Sequence, residues 1–161
     1  MNAATVVFLD FDGAPHRWVP DAPSETRFQF LPRIEDVLRR FAQARIVIAS
    51  DWRKNTPWPE LLSVFAEDIR ARVIGATPVF PWQDYYTGVR HAEAQAYLRE
   101  NNFDRERWVA LDDVAENWID DPRVIVCEDG FFDEEEARLT EALLLIAQTP
   151  AASSTKGRPD D

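Results

Sequence analysis

Acidic and hydroxyl side chains follow short apolar runs at three places in this sequence. Asp10 and Asp12 follow TVVFL, Ser50 follows RIVIA, and Asp112 and Asp113 follow WVAL. Each run is rich in β-branched or aromatic residues and has the length of a buried strand. Ligands of open parallel sheets bind outside the carboxyl ends of the strands, near the point where strand order reverses. We therefore expect these polar side chains to meet at one edge of a sheet.

Such a meeting of acids has chemical consequences. Carboxylates gathered in one cleft repel one another unless a cation neutralises them. Mg²⁺ prefers hard oxygen ligands and is held by one or two carboxylates together with waters and phosphate oxygens. The pattern therefore predicts a divalent-cation site. The competing interpretation is that each acid, and Ser50, only caps the segment that follows it.

The elements that must position these residues alternate between strand and helix. This alternation predicts a parallel sheet covered on both faces, an α/β fold of the doubly wound, Rossmann-like kind. Strands are predicted at Thr5–Leu9 and at residues 45–49, 73–74, 108–111 and 124–127, and helices from Pro32 to Phe41 and over residues 57–71, 88–101 and 133–148.

The connecting segments are predicted from their Pro, Gly and polar residues. Residues 14–31 and 77–87 contain several prolines and read as irregular loops. Gly130 predicts a turn, and Asp133 with Glu136 predicts a capping box for the last helix. The end of the sequence, TPAASSTKGRPDD, is poor in apolar residues and is expected to be disordered. We expect one domain over residues 1–148 and a tail over residues 149–161.

Composition narrows the classes of function. The 161 residues fit one core, and the single Cys127 excludes an intramolecular disulfide or a paired-cysteine zinc site. A formal net charge of −11 argues against broad, nonspecific nucleic-acid binding, although a local basic groove is compatible with it. We expect a soluble cytoplasmic protein with no membrane partner, because the sequence begins without a signal-peptide pattern and has no membrane-length apolar run.

The motifs, taken in order, resemble those of the haloacid dehalogenase (HAD) superfamily. FLDFDG is similar to its first motif, IVIAS to its second and WVALDD to its fourth. SDWR, GATP, a helix start that contains Arg and a later DG turn resemble the HAD domain of Swiss-army-knife RNA repair proteins. The resemblance covers roughly residues 5–146. It implies a phosphomonoester hydrolase that uses Mg²⁺.

The resemblance also implies a role for each acid. Asp10 would attack phosphorus and form an aspartyl-phosphate. Asp12 would protonate the leaving oxygen and then activate water. Ser50 would donate a hydrogen bond to a phosphate oxygen. Asp10, the main-chain carbonyl of Asp12, and Asp112 with Asp113 would hold Mg²⁺. Asp112 is favoured as the direct ligand, and Asp113 is either a ligand or lies behind it.

One part of the superfamily pattern is ambiguous in this sequence, and another part is missing. The superfamily places a Lys or Arg near the phosphate. Arg90 is our candidate for this residue and Arg53 is the rival, and the two could also act together. Ala14, followed by Pro15, stands where superfamily phosphatases usually carry Thr or Val. These departures motivate an alternative, a HAD-fold binding protein without turnover. A weaker alternative is an acidic interaction protein whose surface mimics a polyanion.

The spacing of the motifs informs the substrate. A helix and a strand fill much of the interval between the first two motifs, which leaves no room for a large cap domain, and the resulting open site could admit a macromolecular end. By resemblance we favour a phosphorylated nucleic-acid end, with a small metabolite or nucleotide as runner-up. Six aromatic residues could stack bases, although large aromatics more often anchor cores and loops: Trp18, Trp52, Trp58, Trp82, Tyr85 and Tyr86.

Overall fold

The fold is of the α/β class, as the alternation of strands and helices in the sequence predicted. The computed structural model describes residues 3–12, 14–15 and 28–151. Its strands form one parallel sheet in the order β3-β2-β1-β4-β5. The strands are β1 (Thr5–Leu9), β2 (Ala44–Ile48), β3 (Val73–Ala76), β4 (Trp108–Asp112) and β5 (Val124–Val126). The helices are α1 (Leu31–Arg39), α2 (Trp58–Ser63), α3 (Glu67–Arg70), α4 (Val89–Glu100) and α5 (Asp133–Gln148).

Strand order reverses at the centre of the sheet. From β1 the chain adds β2 and then β3 on one side, returns through α4, and adds β4 and β5 on the other side. β1 and β4 are therefore neighbours, and the Asp10 amide donates a hydrogen bond of 2.9 Å to the Leu111 carbonyl. The crevice beyond their carboxyl ends is the usual ligand position in such sheets.

Each face of the sheet has its own core, because successive strand side chains point in opposite directions. Val7 and Leu9 pack with α1, α2, α3 and α5 on one face. Val6 and Phe8 pack with α4 and with the indole of Trp118 on the other. Burial on both faces explains why the strands read as continuous apolar runs. The ends of these rigid strands hold the candidate site residues.

The predicted helix over residues 57–71 is wrong in one respect, because the structure divides it into α2 and α3. The break falls between Ser63 and Glu67. There, the Ala66 amide donates a hydrogen bond of 2.7 Å to the buried Glu35 carboxylate of α1. A side chain from another helix thus binds an amide at the start of α3, a contact that helical periodicity does not reveal.

The predicted capping box of α5 is also wrong. The helix follows Phe132, whose amide donates a hydrogen bond of 3.0 Å to the Glu135 carboxylate. Asp133 and Glu136, the predicted pair, instead form ion pairs with Arg33 of α1. The turn at Gly130 is confirmed: its φ is +124°, and a Cβ atom there would collide with the Phe30 ring.

Smaller differences concern the ends of elements and the loops. β2 begins and ends one residue earlier than predicted, β5 ends one residue earlier, and the loop over residues 77–87 contains a 3-10 turn at Trp82–Asp84. Within residues 3–12, 14–15 and 28–151 we see no cap domain. No helix in the described part of the chain is long and apolar enough to cross a membrane. Much of the predicted 14–31 loop and nearly all of the predicted tail lie outside the described residues, and the domain division at residue 148 stays a prediction.

Candidate active site

Three carboxylates meet at the centre of the sheet's carboxyl edge. Asp10 follows β1, Asp112 ends β4, and Asp113 is the next residue. Each offers an oxygen atom that lies within 4.8 Å of those of the other two. Asp10 is 8% exposed and Asp112 is 1% exposed, so the rigid strands hold two charges out of water. All three are among the residues that the sequence predicts to bind a metal ion.

The fourth predicted acid, Asp12, occupies a different position. It is half-buried, and its carboxylate is not part of the cluster formed by the other three acids in the described structure. The resemblance assigns metal binding to its main-chain carbonyl and proton transfer to its carboxylate. A carboxylate outside the cluster is compatible with that division.

The cluster is electrostatically unfavourable without a cation. Burial, followed by the negative charges of Asp112 and Asp113, raises the pKa of Asp10 well above its usual value. Burial also raises the pKa of Asp112 to about 6, although hydrogen bonds from Trp118 and Val114 oppose the shift. Oxygen donors that repel one another in a buried site are the kind of set that Mg²⁺ binds.

The orientation of Asp112 is fixed by two donors. The Trp118 indole N–H donates to Oδ2 at 2.9 Å, and the Val114 amide donates to Oδ1 at 2.9 Å. Trp118 in turn stacks on Trp108, with ring centroids 5.9 Å apart. Sequence reasoning missed Trp118, because nothing in its spacing distinguishes it from an ordinary core tryptophan.

Ser50 is fully buried at the end of β2. Its Oγ accepts a hydrogen bond of 3.3 Å from the Trp52 amide and caps the 3-10 turn Asp51–Lys54. The capping interpretation thus describes one of its contacts. The hydroxyl proton is the group that the resemblance assigns to a phosphate oxygen, and that role stays a prediction.

Arg53, the rival phosphate ligand, is bound to protein acceptors. Its buried guanidinium donates four hydrogen bonds to described residues. Three reach the carbonyls of Ser50, Thr77 and Pro78 at 2.8–3.0 Å. The fourth reaches Oε2 of Glu93 at 2.9 Å. Arg53 therefore joins the end of β2 to the segment after β3 and to α4.

Arg90, the favoured candidate, keeps a donor that has no partner in the described part of the chain. Its NH1 donates to Glu93 at 3.1 Å and its NH2 lies 3.0 Å from Oδ1 of Asp51. Its Nε is buried and has no hydrogen-bond partner in the described structure. The positive charge of Arg90 also lowers the pKa of Asp10, so the two residues interact electrostatically.

This combination of fold, motif order and acid cluster agrees with a known family. The sequence profile described as "HAD domain in Swiss Army Knife RNA repair proteins" matches residues 6–136 of the 161. The chain belongs to this family. Membership implies a hydrolase of the phosphatase kind, within a family named for RNA repair. No curated protein matches the chain.

The segment after β3 in this HAD domain carries exposed aromatic residues. Trp82 is 68% exposed and Tyr86 is fully exposed. At the end of this segment, the Gly88 amide donates a hydrogen bond of 2.8 Å to the Glu116 carbonyl, three residues after Asp113. The segment therefore begins and ends at the sheet edge that carries the acids.

The other predicted aromatic residues are more strongly anchored. Trp52 is half-buried, with its ring centroid 5.6 Å from that of Phe11, and Tyr85 stacks on Phe80 at 6.1 Å. Trp58 is 39% exposed. Trp18 lies outside the described residues. Trp82 and Tyr86 are thus the aromatic side chains most available to a ligand among those predicted and described.

The unusual residue after the first motif has a packing role in this HAD domain. Ala14 is fully buried within the core between the sheet and α1. The Pro15 carbonyl next to it accepts a hydrogen bond of 2.7 Å from the Phe30 amide. A small side chain at position 14 is therefore compatible with a closely packed start of the loop.

Proposed function

We propose that this HAD domain hydrolyses phosphomonoesters with Asp10 as nucleophile and Mg²⁺ as cofactor. The observation that carries the proposal is the buried acid cluster at the strand-order reversal, beside the charged Arg90. Asp10, Asp112, Asp113 and the Asp12 carbonyl would hold the ion. When bound, Mg²⁺ would offset the negative charge that Asp10 and a dianionic phosphate bring together.

The chemistry proceeds in two displacements at phosphorus. A carboxylate oxygen of Asp10 attacks phosphorus, and the bond between phosphorus and the leaving oxygen breaks as Asp12 donates a proton to that oxygen. Asp12 then removes a proton from water, whose oxygen attacks the phosphorus of the aspartyl-phosphate. Inorganic phosphate leaves, and the Asp10 carboxylate and the Asp12 proton are restored.

Arg90 and Ser50 would bind the phosphate oxygens. Arg90 offers a buried Nε–H that has no acceptor among the described residues. Burial lowers the pKa of Arg90, but its interactions with Asp51 and Glu93 outweigh burial and raise the pKa above its usual value. A permanent positive charge with a directed N–H suits a phosphate dianion. The Ser50 hydroxyl would supply a neutral hydrogen bond.

We favour a phosphorylated nucleic-acid end as the substrate. The support is the family's association with RNA repair, the absence of a cap domain among the described elements, and the exposed Trp82 and Tyr86 at the sheet edge. Aromatic faces bind bases without regard to sequence. A small phosphorylated metabolite or nucleotide is the runner-up within the same chemistry.

A binding protein without turnover is the second candidate. It is favoured by the commitment of Arg53 to protein acceptors and by the use of Ser50 Oγ as a cap. Such a protein would bind Mg²⁺ and phosphate at the same edge, but would not release phosphate from an ester.

The test is phosphate release from p-nitrophenyl phosphate, with and without Mg²⁺, by the wild-type protein and by Asp10→Asn. Asn keeps the shape of Asp and removes the nucleophile. Turnover that requires Mg²⁺ and disappears in the variant is the expected result. Equal turnover in both proteins would exclude Asp10 as nucleophile. Binding of inorganic phosphate without turnover would favour the binding protein.

A further inference from the structure

We infer that Glu93 is a positioning residue, which acts on the substrate phosphate by orienting Arg90. The inference rests on the proposed function, because it assigns the phosphate to Arg90. Glu93 lies in the first turns of α4, three residues after Arg90. Neither the sequence motifs nor the family resemblance drew attention to it.

Glu93 lies at the centre of a buried network. It is 1% exposed, and its Oε2 accepts hydrogen bonds from Arg53 at 2.9 Å and from Arg90 at 3.1 Å. Its Oε1 accepts from the Phe80 amide at 3.0 Å. One carboxylate therefore binds two guanidinium groups and the backbone of the segment after β3, which carries Trp82 and Tyr86.

The network has one end at Arg53, which the main chain holds, and a second end at Arg90. Arg53 is held by three main-chain carbonyls, so it fixes the position of Glu93. Glu93 then fixes NH1 of Arg90, while the more exposed Asp51 pairs with NH2. Two acids thus hold the guanidinium and leave its Nε–H without an acceptor among the described residues.

Orientation matters because a free arginine loses rotamer entropy when it binds an anion. An arginine already held in place loses less, so its affinity for phosphate is higher. The effect of Glu93 through orientation is opposite in sign to its direct electrostatic effect. A nearby negative charge alone weakens the binding of a phosphate dianion, whereas a positioning role strengthens it.

The test measures the affinity for inorganic phosphate by calorimetry in the presence of Mg²⁺, and kcat and KM for p-nitrophenyl phosphate. The proteins are wild type, Glu93→Gln, Arg90→Gln and the double variant. If Glu93 acts through Arg90, Glu93→Gln weakens phosphate binding about tenfold and raises KM more than it lowers kcat. In the Arg90→Gln background the same substitution then no longer weakens phosphate binding, because only the electrostatic effect of Glu93 is left.

A matched control is Glu35→Gln, which replaces another buried helical glutamate, one that binds the Ala66 amide away from the acid cluster. It should leave phosphate affinity and KM unchanged. Should Glu93→Gln not fold, Glu93→Asp keeps the charge, withdraws the carboxylate by one methylene, and is expected to weaken binding as well.

Several results would overturn the inference. Phosphate binding as tight as or tighter than wild type in Glu93→Gln would leave only the electrostatic effect. An equal loss of affinity with and without the Arg90 guanidinium would assign Glu93 to general stability. A wild type that binds phosphate without turnover contradicts the hydrolase proposal and still permits this comparison. A wild type that binds no phosphate contradicts both.

Discussion

The indole nitrogen of Trp118 lies 2.9 Å from Oδ2 of Asp112 and donates a hydrogen bond to it. Both residues are buried, and the Val114 amide binds the second oxygen of the same carboxylate. The lone pairs left on Asp112 therefore point in fixed directions. Partners of this kind behind a metal ligand set its orientation and so affect metal affinity.

Replacing Trp118 by Phe should weaken metal binding while keeping an aromatic ring against Trp108. We expect the Mg²⁺ concentration for half-maximal phosphatase activity to rise about tenfold, the lower end of the effects seen for such partners. The matched control is Trp108→Phe, because the buried Trp108 Nε1 has no hydrogen-bond partner among the described residues. An equal rise in both variants would assign the effect to packing.

Removing one charge from the acid cluster should stabilise the metal-free protein. Asp113 is partly exposed, and its charge raises the pKa of Asp10. In Asp113→Asn we expect the free energy of unfolding without metal to rise by about 1 kcal/mol at neutral pH, because like-charge repulsion is relieved. The stabilisation that Mg²⁺ gives the wild type should shrink.

Thermal melts with chelator and with Mg²⁺ would check this prediction. Asp120→Asn, at an exposed acid, is the control and should change neither melt. A loss of stability in metal-free Asp113→Asn would contradict the idea that the three carboxylates repel one another.

The acid cluster could be predicted from sequence, whereas its supporting residues could not. Asp10 and Asp112 follow apolar runs directly, and parallel strands bring such residues to one edge whatever the details of packing. Trp118 and Glu93 act through contacts that depend on how α4 and the segment after β4 pack. Only the spacing of Arg90 and Glu93, three residues apart on a helix, was visible in the sequence.

The errors in the helices have a similar origin. Helical periodicity runs through residues 57–71, but the Glu35 carboxylate binds the Ala66 amide where the chain divides into α2 and α3. Asp133 and Glu136 have capping-box spacing, yet Arg33 of α1 pairs with both of them. In each case a side chain distant in sequence took the place of the local partner.

The buried Glu35 should make stability depend on pH in a defined direction. Burial raises its pKa, although the hydrogen bond from Ala66 opposes the shift. The folded state therefore holds the proton more strongly than the unfolded state. Its contribution to stability is complete below the usual pKa and is lost as pH rises through the raised value.

Glu35→Gln removes this titration and keeps an oxygen acceptor for the Ala66 amide. Relative to wild type, we expect the variant to gain stability as pH rises from about 4 to about 7. Urea midpoints at the two pH values would measure the difference. If Glu35→Gln were more stable than wild type at the lower pH and lost this difference at the higher pH, the predicted sign of the pH dependence would be wrong.

Substitutions of the two arginines should have different effects: loss of Arg53 should mainly lower stability, and loss of Arg90 should mainly weaken the interaction with phosphate. Arg53→Gln removes hydrogen bonds that join β2, the segment after β3 and α4. It should lower the free energy of unfolding by about 3 kcal/mol, as when a buried ion pair loses one partner.

Arg90→Gln should instead lower kcat/KM for p-nitrophenyl phosphate about a hundredfold, because a charged donor to phosphate is lost. Denaturant melts and kinetics on both variants would check this. A greater loss of kcat/KM in folded Arg53→Gln would make Arg53 the phosphate ligand.

The exposed aromatic residues should determine which phosphomonoesters bind well. We expect the double variant Trp82→Ala, Tyr86→Ala to raise KM for a phosphorylated oligonucleotide about tenfold, the loss expected for weakened base stacking, and to leave KM for p-nitrophenyl phosphate unchanged. Leu145→Ala is a suitable control, because Leu145 is another large apolar side chain that is 64% exposed but lies far from the acids. The carbonyl of the next residue, Ile146, accepts a hydrogen bond from Arg107, which precedes β4 at the opposite edge of the sheet. If the double variant instead raised KM for both substrates alike, the runner-up, a small phosphorylated metabolite, would become the better proposal.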